Sequence, residues 1–136
     1  DRAFTLEFWN IKVSDFPRWQ TSGLTASLKQ KAQDILESLG TALAPVRLHF
    51  GWRTIDDVLS YLVFAMNLDM SETQAMDDAL YAKVLPKLRV ESSKRFEMAL
   101  QVSRDIMKQH GLVRCYEKLG AMQADLVETG TARFWR

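Results

Sequence analysis

Five stretches with apolar residues at helical spacing follow one another between Leu24 and Thr129, each bounded by glycine, proline or a polar cap. A repeat of three and four residues draws one apolar stripe along a helix, and a stripe must be buried against another element. With stripes in series and mostly short connectors, the stable outcome is helix packed on helix. Leu24, Leu28, Ala32, Ile35, Leu36 and Leu39 form the first stripe, which should stop at Gly40. The second should begin with Thr54 as its N-cap, and Asp56 and Asp57 in its first turn complement the helix dipole. Its apolar arc of Ile55, Val58, Leu59, Leu62, Val63 and Met66 is wide, which predicts the central, most buried helix. Ser71 to Gln74 reads as a capping box for the third, and Pro86 must end or kink that helix. The fourth starts at Ser92 or Ser93 and stops at Gly111; the fifth runs from Val113 to Thr129 and closes at Gly130. Two aromatics at an exposed end are a liability, so Phe134 and Trp135 should fold back.

The opening residues follow a different period. Phe4, Leu6, Phe8 and Ile11 alternate roughly in twos, as in a strand. A single terminal strand leaves its backbone groups unpaired, so it is expected to come from a larger sheet. Residues 1–23 then read as a terminal strand and connector, punctuated by Pro17 and Gly23, and 24–136 as a helical domain. The expected fold class is mainly α: an N-terminal strand followed by a compact bundle of about five helices.

The 136 residues suffice for one domain with a core. A net charge of +1 supplies no strong overall field for nucleic acid or acidic lipid. No apolar run approaches membrane-spanning length, and a single cysteine, Cys115, suits a reducing cytoplasm. Neither a phosphate-binding P-loop nor a G-x-G-x-x-G turn occurs, nor a pair of histidines at helical spacing or a Cys-x-x-Cys for zinc. His49 and His110 read as structural or surface residues, and Cys115 as an inert small side chain in an amphipathic helix. The pairs Asp56/Asp57 and Asp77/Asp78 read as helix-start charge and solvated surface rather than acid–base or Mg²⁺ chemistry.

Arg53 stands out because it adjoins a helix start, whose positive pole disfavours a cation unless an anion is shared. Arg2, beside the opening strand, means by itself only a solvated charge. The phrase Asp1-Arg2-Ala3-Phe4-Thr5-Leu6-Glu7 resembles the stretch after sensor 1 in AAA+ motors related to the restriction NTPase McrB. Phe50-Gly51-Trp52-Arg53, followed by Asp56-Asp57-Val58, is similar to the start of that family's lid helix. Lys83-Val84-Leu85-Pro86-Lys87-Leu88 and the closing Lys118-Leu119, Met122, Leu126, Gly130 and Phe134-Trp135 resemble further family phrases, in the same order. The chain departs from the family at Thr131-Ala132-Arg133, where phenylalanine-threonine-serine is more usual.

The resemblance implies the last core strand and the helical lid of a P-loop NTPase in a restriction or phage-defence motor. Arg53 would be the sensor-2 arginine that reaches the γ-phosphate, and Arg2 would lie where an arginine finger reaches the neighbouring subunit's nucleotide. ATP or GTP with Mg²⁺ would be the cofactor of the parent, with none bound by this piece alone. Partners would be neighbouring AAA+ subunits in a ring, with DNA and a nuclease subunit, and no membrane. The alternative function is a helical DNA-binding or protein-interaction module. Its sequence basis is the cluster Lys83, Lys87, Arg89, Lys94 and Arg95, which otherwise reads as a solvated face.

Overall fold

The computed structural model describes residues 24–46, 51–91 and 93–134, except the side chains of Trp52, Val90 and Arg133. The strand expected at Phe4 to Ile11 and the connector to Gly23 lie outside the described residues. Among those described, five helices form a bundle: α1 (Ala26–Leu43), α2 (Trp52–Met66), α3 (Glu72–Lys83), α4 (Lys94–Gln109) and α5 (Val113–Thr129). The mainly α bundle implied by the five stripes is therefore the architecture. Leu28, Ile35, Leu59, Leu62, Met76, Leu80, Leu100 and Met107 lie fully buried in one core. Each such side chain contributes about 1.5–3 kcal/mol when removed from water.

The Thr25 hydroxyl starts α1 by accepting from the Leu28 N–H at 3.1 Å. The helix does not stop at Gly40. It runs to Leu43, because Ala42 and Leu43 continue the buried stripe. That burial outweighs a helical glycine's cost of about 1 kcal/mol. Pro45, inside the 3₁₀ turn Ala44–Val46, marks the end.

The start of α2 also differs from expectation. Its N-cap is Gly51, with no side-chain bond, and the carbonyl of Gly51 accepts from the Thr54 N–H at 3.1 Å. Thr54 is already inside the helix and only 3% exposed, so Asp56 and Asp57 fall in the second turn. Nor is α2 the hub of the bundle. It packs chiefly on α3, whereas α5 meets both α3 and α4 and α1 lies on α4. Of its wide apolar arc, Val63 and Met66 are only partly buried, and Phe64, outside the arc, is 59% exposed.

Local signals place the remaining ends. Ser71 Oγ accepts from the Gln74 N–H at 3.1 Å to start α3, and Ser93 Oγ accepts from the Phe96 N–H at 3.2 Å to start α4. Helix α3 ends before Pro86, which sits in the 3₁₀ turn Leu85–Lys87. Gly111, at φ +71°, lets α4 end with the N–H groups of Gly111 and Leu112 bonded to the carbonyls of Lys108 and Met107.

The sequence pattern did not reveal a short ribbon. β1 (Arg89–Glu91) pairs antiparallel with β2 (Thr131–Arg133), with Arg89 opposite Arg133, Val90 opposite Ala132 and Glu91 opposite Thr131. Gly130, at φ +83°, turns the chain from α5 into β2. Phe134 then folds back as expected: it is buried and meets the Tyr81 ring edge-on, with centroids 5.0 Å apart. Trp135 lies outside the described residues.

Candidate functional site

Arg53 occupies the first turn of α2, anchored by buried Thr54, Ile55 and Val58 beside it. Its own side chain is exposed, and among the described residues no carboxylate lies within 4 Å of it. The side chain of Thr54 turns inward, where its Oγ1 accepts from Lys87 Nζ at 2.8 Å. Lys87 arrives from the 3₁₀ turn Leu85–Lys87, held in place by buried Leu85 and Leu88 on either side. Residues 33 positions apart are thus joined at one helix start.

The first turn itself is cationic, although Asp56 and Asp57 follow one turn on. The first turn of a helix carries the equivalent of about half a positive charge. Arg53 adds a second positive contribution and the ammonium of Lys87 a third, with no acidic residue in the first turn of α2. An arginine fork, an ammonium and free helix N–H groups suit an anion with several oxygens, a phosphoryl group above all. Arg2, the other sequence-derived candidate, lies outside the described residues.

The aspartate pairs take other roles. Asp77 is neither solvated nor available for acid–base work. It is buried, and its two carboxylate oxygens accept from the Arg114 and Cys115 N–H groups at 2.8 and 2.9 Å. It therefore caps α5 from α3, supplying what Leu112 at the N-cap position lacks. Leu112 was the one sequence signal: a helix start without a capping side chain needs a cap from elsewhere. Asp78 pairs with Arg114 at 3.4 Å, and the Arg114 guanidinium lies 3.7 Å from the Tyr81 ring centroid. Burial first, then the hydrogen bond with Asp77, pushes the Cys115 thiol far above its ordinary pKa. A thiol held neutral is a poor nucleophile.

Other surfaces offer less chemistry. Among the described residues no group of three or more His, Cys, Asp or Glu could hold a metal ion. A groove of about 540 Å³ between α1 and α4 is walled by Ala42, Met98, Val102 and Ile106, and Arg95 is its one titratable lining residue. No described helix is long and apolar enough to cross a membrane. The model of a family described as a domain of unknown function (DUF8727) matches residues 7–131. No curated protein and no solved structure matches the chain.

Proposed function

We propose that this chain, which belongs to the DUF8727 family, is the helical lid of an AAA+ NTPase related to the restriction motor McrB. The observation that carries the reading is Arg53: a cation exposed in the first turn of α2, next to buried Thr54 and Ile55, without a carboxylate partner among the described residues. The phrase around it is the one that resembles the family's lid helix. A lid of this kind presents its arginine to the γ-phosphate of ATP or GTP bound in the α/β core. Phosphoryl transfer depends on positioning and charge stabilisation, which a planar guanidinium supplies better than an ammonium.

Mg²⁺ bound with the nucleotide would neutralise phosphate charge. The described residues hold no donor cluster for it, so its ligands would belong to the core. Arg2 is the proposed arginine finger toward a neighbouring subunit. Ring neighbours, DNA, a nuclease subunit and a cytoplasmic location belong to the same reading.

The test is the reading frame upstream of Asp1, followed by turnover of the full-length protein. A phosphate-binding loop and an acidic Walker B strand are expected there. Arg53→Ala should keep the fold and lower ATP or GTP hydrolysis by about 10²-fold or more, as for loss of a comparable transition-state donor. A frame without a phosphate-binding loop, or near-normal turnover of Arg53→Ala, would overturn the reading.

A further inference from the structure

Three placements in one region run against local electrostatics. Lys87 donates to Thr54 in the first turn of α2, at that helix's positive end. Lys94 and Arg95 open α4, again at a helix start, opposed in that turn by Glu97. Arg89 and Arg133 are register partners in the β1–β2 ribbon, a pairing of like-charged residue types that strands disfavour. From Lys83 to Arg95 the chain carries five cations and one carboxylate, Glu91. The whole-chain charge of +1 conceals this asymmetry.

Among the described residues Glu91 and Glu97 are the nearby carboxylates in sequence, and neither forms an ion pair with these cations. The one ion pair there is Arg114–Asp78, far along the chain, and Arg95 reaches only the Pro45 carbonyl, at 3.5 Å. Leu88 is buried while Lys87 and Arg89 on either side are exposed. The intervening backbone is extended at Leu88, so the two cations are spaced along it by about 7 Å. The charges therefore form a row rather than a point. Local rules broken together, without a compensating gain inside the fold, mark functional surface.

We infer that the exposed cations Lys87, Arg89, Lys94 and Arg95 form a docking surface for the phosphodiester backbone of a nucleic acid. The large apolar side chains exposed among the described residues are Phe64, Leu68, Met98, Val102, Val113 and Val127; none lies among these cations in sequence, and Met98 and Val102 follow Arg95 further along α4 in the groove against α1. A protein partner would need an apolar or aromatic anchor at the centre of its contact, whereas backbone binding to nucleic acid needs only spaced cations. The inference does not depend on Arg53 meeting a nucleotide.

The experiment is fluorescence anisotropy of a labelled short DNA duplex with the full chain, between about 50 and 200 mM salt. About four phosphate contacts give a log–log salt slope between about −3 and −4. Arg89→Ala should reduce that slope by about 1, and Arg89→Glu should abolish binding at the higher salt. Lys94→Ala should act like Arg89→Ala. Lys108→Ala, the same charge change in the last turn of α4, should leave binding unchanged. Unaltered circular dichroism would show that each variant folds. Absence of binding at low salt, an equal loss with Lys108→Ala, or equally effective competition by polyglutamate would each overturn the inference.

Discussion

Cys115 shows how one buried atom ties the fold to pH. Its side chain is fully buried in the first turn of α5, with Sγ 3.3 Å from the Asp77 carbonyl oxygen. Burial raises its pKa most, and the Asp77 hydrogen bond and charge add to the effect. In the unfolded chain the same thiol ionises above about pH 8.5. Above that pH the unfolded state binds fewer protons than the native state, so stability falls as pH rises; below it the contribution is fully present. The slope from this group alone is about 1.4 kcal/mol per pH unit. Cys115→Ala lacks that term, so the stability gap between the two proteins should close by that amount for each pH unit above about 8.5. Urea melts at several alkaline pH values measure it. Stability curves that stay parallel would mean the native thiol ionises normally.

At the scale of helices, whether an end was legible depended on how far its partner lies along the chain. Ser71 and Ser93 bond N–H groups three residues on, and Gly111 and Gly130 act within their own turns, so local pattern was enough. The start of α2 was misread because Thr54 is polar, yet its hydroxyl serves Lys87 rather than the helix N–H groups. Gly40 was misread as a stop because the burial of Ala42 and Leu43 is decided by the tertiary structure. The cap on α5 comes from Asp77, 37 residues before Arg114, and no local rule reaches that far. That cap should be costly to lose. Asp77→Ala leaves two helix N–H groups without their acceptor, which costs about 2–3 kcal/mol. Asp78→Ala removes a partly exposed ion pair with Arg114 and should cost under about 1 kcal/mol. Urea midpoints of the two variants separate these effects; equal midpoints would show that the carboxylate of Asp77 adds nothing to α5.

Across the whole molecule, the chain's last described residues are joined to the candidate phosphate-facing corner. Arg53 stood out in the sequence as a cation beside a helix start, although that start lies at Gly51 and not at Thr54; the Lys87–Thr54 contact and the ribbon that follows Lys87 depend on pairings distant in sequence. From Gly130 the chain enters β2, which pairs with β1, and β1 follows Lys87 and Leu88 directly. Phe134 fastens this strap by its contact with Tyr81 of α3 and by Lys118 Nζ, 4.9 Å from its ring centroid. Three-residue strands hold little by themselves, since an isolated two-stranded ribbon is marginal in water. The ribbon should therefore depend on the buried ring more than the helices do. Phe134→Ala should cost about 3 kcal/mol, the lower end for a buried phenylalanine, against a typical total of about 5–15 kcal/mol. Its signature should be uneven. Amide exchange in β1 should quicken more than in the buried stretch of α1, because the ribbon opens as a unit separate from the bundle. Native-state hydrogen exchange resolves the two regions. If protection fell equally in β1 and α1, the strap and the bundle would be one cooperative unit, and the end of the chain would hold Lys87 only through global stability.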